Sequence, residues 1–195
     1  MTQRRIYQNE YPYFITWRTR ESYPLFEDEK YAEILSEFIF NGGKLKQFDI
    51  LVYQIMPDHV HILTFHRTLS SDRTLEKVRW GDWNDICEYK KRTNSKQPER
   101  TFSNVRSGKY MRSVPIKNQP TISDLMQSIK GNFSRRLHMG NIWQPRFYTR
   151  IVSTETYLNT VIDYVCQNPI KAELPEKYHH APYQYFDWKK IYNLF

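Results

Sequence analysis

FDILVYQIMPDHVHILTF, residues 48–65, is the stretch on which the fold turns. Phe48 to Met56 is almost unbroken apolar sequence, the pattern of a strand buried on both faces. Pro57-Asp58 marks a tight turn. His59 to Phe65 is a second short apolar run, so the two segments form a β-hairpin.

Working outward, Tyr13 to Thr19 alternates apolar and polar residues and reads as a strand. A helix follows from about Asp28. Tyr31, Ile34, Leu35 and Phe38 fall at i, i+3, i+4 and i+7, and Asn41-Gly42-Gly43 is expected to stop it. On the far side, Thr121-x-x-Asp124 has the form of a capping box ahead of the stripe Ile122, Leu125, Met126, Ile129, Phe133. Phe147 to Val152 reads as a strand. A last helix runs from about Thr154 to Gln167, with Tyr157, Leu158, Val161, Ile162 and Val165 as its apolar positions and Pro169 expected to end it.

The order β-α-β-β-(insert)-α-β-α predicts an α+β, ferredoxin-like split βαβ fold with an antiparallel sheet and one additional C-terminal helix. Residues 1–195 form a single domain with an insertion at about 68–120. A short helix containing Trp80 and Trp83 and reaching about Tyr89 is expected within it; the rest lacks periodicity. A stretch of that length inside a compact domain is commonly functional.

Charge singles out the same insertion. The chain of 195 residues has a net charge of +8. Residues 89–118 hold nine basic residues and one acidic one, which leaves twenty of each sign elsewhere. A neutral body carrying one basic segment suits a polyanion; a solvated loop with a chance excess of charge reads equally well. Within the segment, Lys90, Lys91, Arg92, Arg106, Lys109 and Arg112 are candidate DNA-binding residues. Lys130, Arg135, Arg136, Arg146 and Arg150 are further candidates for phosphate contacts. No apolar run reaches the roughly 18 residues of a membrane span. With two cysteines in no zinc-like spacing, the expectation is a cytoplasmic protein.

Two further features bear on chemistry. His59 and His61 project from one strand face about 7 Å apart. Spacing alone favours a pair of half-buried strand histidines; their place after a Pro-Asp turn, at a sheet end, favours a shared divalent ion. Tyr164 lies at the edge of the last helix's apolar stripe. A tyrosine there packs by default with its hydroxyl at the surface. Gln167 and Asn168, three and four residues on, place an amide on the phenol's side of the helix, so a nucleophile and an oxygen ligand would flank one ion.

QIMPDHVHIL at 54–63, DLMQSIKGNFSRRL at 124–137, IWQPRFYTRIV at 142–152 and DYVCQNPIKAEL at 163–174 together resemble the single-tyrosine HUH transposase family of insertion-sequence transposases. The similarity is greatest to its REP-associated tyrosine transposases, and spans about residues 6–175. The resemblance implies Mg²⁺- or Mn²⁺-dependent cleavage and strand transfer on single-stranded or hairpin DNA. Tyr164 would be the nucleophile, and His59, His61 and Asn168 the metal ligands, with Gln167 in reserve should the helix end unwind. It leaves open a monomer or a homodimer. The chain differs from the family in the long insertion, in an aromatic C-terminus, and in Glu173, where the family commonly has glycine. Two other readings stand beside it: an inactive relative that binds DNA hairpins, and a ferredoxin-like RNA-binding module using Phe14, Trp17 and Tyr53.

Overall fold

The structure is a computed structural model and describes residues 11–67 and 119–194. The insertion lies outside the described residues, apart from Gln119 and Pro120, and so does the short helix expected near Trp80 and Trp83.

Strands β1 (Tyr13–Arg18), β2 (Phe48–Ile55), β3 (His59–His66), β4 (Tyr148–Ile151) and β5 (Gln184–Phe186) form one sheet in the order β4-β1-β3-β2-β5, every neighbouring pair antiparallel. Helices α1 (Glu29–Leu45), α2 (Ile122–Leu137), α3 (Glu155–Lys171) and the short α4 (Trp188–Ile191) cover it. The first six elements are the split βαβ arrangement expected from periodicity.

Alternation in β1 sorts its side chains between two cores. Tyr13, Ile15 and Trp17 pack with Leu35 and Ile39 of α1 and with Leu125, Ile129 and Phe133 of α2. On the opposite face Phe14, Leu63 and Phe65 pack under Leu158, Val161, Ile162 and Val165 of α3. β2 has layers on both sides and two strand neighbours, hence its nearly unbroken apolar run; a bulge between Ile50 and Val52 shifts its register.

Two helix ends differ from expectation. α1 does not stop at Asn41-Gly42-Gly43 but runs on to Leu45. Here glycine serves packing. A Cβ at Gly42 would stand 2.7 Å from Ile129 Cγ1 of α2, and one at Gly43 would stand 2.9 Å from the Phe48 carbonyl oxygen. α3 likewise passes through Pro169 to Lys171. An interior proline costs about 3 kcal/mol, but in the last turn it forgoes only the bond to the Val165 carbonyl. Pro169 is buried, and the Asn168 carbonyl still accepts from Ala172 N–H at 3.1 Å.

The expected capping box is present: Thr121 N–H donates to Asp124 Oδ2 at 2.7 Å, and Asp124 N–H to Thr121 Oγ1 at 3.3 Å. Glu173, noted above as a departure from the resembled family, has a left-handed φ of 51°. The aromatic C-terminus supplies β5 and α4, both missed in the sequence.

Candidate active site

Antiparallel register sets out the site row by row. Tyr148, Thr16, His61 and Gln54 are direct neighbours across β4, β1, β3 and β2; Arg18 pairs with His59 one row further on, towards the Pro57-Asp58 turn. α3 crosses this face with Tyr157, Val161 and Tyr164 towards the sheet, and Val161 is buried.

His61 is 3% exposed. Its Nδ1 lies 2.8 Å from Thr16 Oγ1, while its Nε2 is buried without a partner. The ring stacks on Phe14 at a centroid distance of 5.6 Å and meets the rings of His59 at 4.8 Å and Tyr164 at 5.2 Å edge-on. Burial pushes its pKa down to about 3, helped by the positive charge of Arg18 and by His59, so the imidazole is neutral at physiological pH. His59 Nδ1–H donates to Asp58 Oδ1 at 2.5 Å, and Asp58 Oδ2 accepts from Arg18 Nη1 at 3.2 Å. Burial also lowers the His59 pKa, against the opposing pull of Asp58. With Nδ1 committed, the lone pair of His59 is left at Nε2.

Tyr164 is 43% exposed, its ring also edge-on to Phe14 at 6.0 Å. One helical turn beyond it, Asn168 is half-buried and its Nδ2 is buried without a partner. Asn168 does not line the cleft that Tyr164 borders. The helix does not unwind at Pro169, so the condition that would have brought Gln167 into play is not met.

Among the described residues no cluster of three or more His, Cys, Asp or Glu could hold a metal. What the site offers is two neutral imidazoles, each oriented by a partner on its other nitrogen, and, one helical turn beyond Tyr164, the Asn168 amide. A buried unpartnered nitrogen such as His61 Nε2 costs about 1–3 kcal/mol, a deficit that a ligand would remove. These residues fit a hard cation only if phosphate oxygens and water complete its shell.

The cleft beside them has a volume of about 400 Å³. Phe14, Thr16, Arg18, His61, Tyr148 and Arg150 line it from the sheet, and Tyr157, Thr160, Val161 and Tyr164 from α3. Of the basic candidates among the described residues, only Arg150 lines it. The Lys130 ammonium donates to the Gln144 carbonyl at 2.7 Å, and Arg135 donates to Asn132 Oδ1 at 2.8 Å. Arg136 and Arg146 are exposed; the six candidates in the basic segment lie outside the described residues.

Sequence reasoning missed Thr16, Arg18 and Asp58 as site residues. The signal was in the alternation of β1, whose second face reads Phe14, Thr16, Arg18. The RNA-binding reading fails on burial: Phe14, Trp17 and Tyr53 are 8%, 1% and 3% exposed, so they offer no stacking platform.

Acid titration follows from His61. Below its ordinary pKa of 6.5 the unfolded chain takes up a proton that the folded imidazole refuses until about pH 3. Stability should therefore fall across that window by about 1.4 kcal/mol per pH unit for this group. Urea unfolding of His61→Gln between pH 6 and 4 should show a slope shallower by about one proton; an unchanged slope would mean that His61 is not held neutral.

Residues 7–78 match the family described as "Transposase IS200 like". No curated protein matches the chain. Among solved structures, a REP-associated tyrosine transposase bound to a REP hairpin is similar at 18% identity and a TM-score of 0.58, covering 94% of this chain and 81% of that one. A candidate transposase from Deinococcus radiodurans R1 shows 18% identity and a TM-score of 0.41, covering 89% of this chain and 98% of the other. The chain thus matches the IS200-like transposase pattern over residues 7–78, and its described fold is similar to that of a REP-associated tyrosine transposase.

Proposed function

We propose that this protein cleaves single-stranded DNA beside a hairpin and transfers the strand through a 5′-phosphotyrosine formed on Tyr164. The supporting observation is the convergence of His59, His61 and Tyr164 ring against ring, beside a cleft bearing two guanidiniums. The family match over residues 7–78 agrees with transposition chemistry, and the similar solved structure holds a hairpin.

Arg18 and Arg150 bind the strand's phosphates. Tyr164 Oη attacks phosphorus and its proton passes to water. The P–O3′ bond breaks with its electron pair on oxygen, which takes a proton to become a free 3′-OH. The phosphotyrosine conserves the bond energy, so another 3′-OH can reverse the step. His59, His61 and Asn168 would hold Mg²⁺ or Mn²⁺, with Asp58 and Thr16 orienting the two rings. When bound, the ion polarises the phosphate and stabilises charge on the leaving oxygen.

The test is incubation of the protein, Mn²⁺ and labelled hairpin oligonucleotides with single-stranded flanks. A denaturation-resistant protein–DNA adduct is expected. Hairpin binding with no adduct would replace this reading with that of an inactive hairpin-binding relative.

The basic segment has its own proposed role on the phosphate backbone. Each such contact on single-stranded nucleic acid contributes roughly −0.7 to the slope of log affinity against log salt. Neutralising Lys90, Lys91 and Arg92 together should flatten that slope by up to about two units, alike for matched and scrambled hairpins. An unchanged slope would mean that the segment does not meet DNA.

A further inference from the structure

The cleft beside Tyr164 has a chemistry that cleavage alone does not require. Besides Tyr164, the aromatic rings of Phe14, Tyr148 and Tyr157 line it, together with Val161. Its cations are Arg18 and Arg150, and no carboxylate lines it. β1–β4 register puts Tyr148 opposite Thr16, with Arg150 two residues along β4 and Arg18 two residues along β1 in the opposite sense. One guanidinium therefore stands on each side of Tyr148 along the strands.

Tyr148 is 50% exposed, one of the few large apolar side chains left open to solvent among the described residues. The Arg150 guanidinium lies 5.5 Å from its ring centroid, which holds the ring by a cation–π contact. An exposed, propped ring on an edge strand has no packing function to explain it. The cleft's volume of about 400 Å³ falls in the range of small-ligand pockets, roughly 300–1,000 Å³. A planar, neutral ring attached to an anion matches these walls; a cation or a protonated peptide side chain does not.

We infer that this cleft takes one unpaired nucleobase of the DNA strand, stacked against Tyr148, with Arg150 on the adjoining phosphate. The inference rests on the reading of Tyr164 as the group that meets the scissile phosphate, since the cleft opens onto that phenol. Stacking there draws the neighbouring nucleotide out of any duplex and sets the phosphorus beside Tyr164. The selectivity this gives is for unpaired over paired DNA, because every base has a π-face.

The test separates binding from chemistry by using Tyr164→Phe protein in EDTA, where no cleavage occurs. The probes are hairpin oligonucleotides with single-stranded flanks, in which 2-aminopurine or an abasic site replaces each flank position in turn. Tyr148→Ala should lower affinity for these flanked hairpins roughly five- to hundredfold, and Tyr148→Phe should keep it. At one flank position 2-aminopurine should be quenched by the parent and not by Tyr148→Ala. An abasic site at that position should weaken the parent and add nothing to Tyr148→Ala. Blunt, fully paired DNA should bind both proteins alike. Equal binding of flanked hairpins by Tyr148→Ala and parent, or an equal loss on fully paired DNA, would overturn the inference. These readouts need no adduct, so a protein that stacks a base without forming one would fail the cleavage reading alone.

Discussion

Tyr164→Phe should form no covalent adduct and cleave no strand, a loss of at least about a thousandfold, as expected when a nucleophile is removed. Hairpin binding should be nearly unchanged. The substitution removes one oxygen from a side chain that is 43% exposed and leaves the ring contacts with His61 and Phe14 in place. That split between chemistry and binding separates a catalytic tyrosine from a merely structural one, which would lose both or neither. Gel-resolved adduct yield and fluorescence anisotropy, measured on one preparation, check it. Cleavage at the parent rate would move the nucleophile elsewhere, and Tyr148 would be the first alternative.

His61→Ala should fail in a different way. Mutating groups that merely orient metal ligands typically costs 10–100-fold in affinity or activity, so loss of a ligand should cost at least about a hundredfold in Mn²⁺ affinity and in adduct yield. DNA binding measured in EDTA should persist. Because His61 is buried against Phe14 and Tyr164, truncation also leaves a cavity. His61→Gln, which can keep the hydrogen bond to Thr16, separates the two effects. If His61→Gln folds as the parent does and still binds Mn²⁺ with parental affinity, the two-imidazole site is wrong.

The parts of this molecule that could be read from its sequence were those with a strong period. The hairpin at 48–65, the stripe beginning at Ile122 and the alternation from Tyr13 each bury a continuous face, so their spacing records the core directly. Isolated breakers misled. Gly42, Gly43 and Pro169 are punctuation by local propensity, yet each lies inside a helix. What decides their place is close packing against Ile129 and Phe48 in one case, and burial in a last turn in the other. β5 is three residues long and, among the described strands, pairs with β2 alone, too short for any pattern to show. At the site, His59, His61 and Tyr164 stood out because their residue types carry chemistry. Arg18 and Asp58 did not, because their place depends on the pairing of β1 with β3 across forty residues of sequence. Lys130 shows the converse: a lysine chosen for its charge donates to the carbonyl of Gln144.

The central claim is that Tyr164 becomes covalently attached to a DNA 5′ end. Peptide mapping by mass spectrometry of the protein after reaction with hairpin DNA and Mn²⁺, followed by nuclease digestion, tests it directly. The account predicts a phosphonucleotide on the peptide that contains Tyr164, with fragmentation locating it on that phenol. A phosphonucleotide on Tyr148 or Tyr157, the other tyrosines of the cleft, or an unmodified protein beside cleaved DNA, would contradict it.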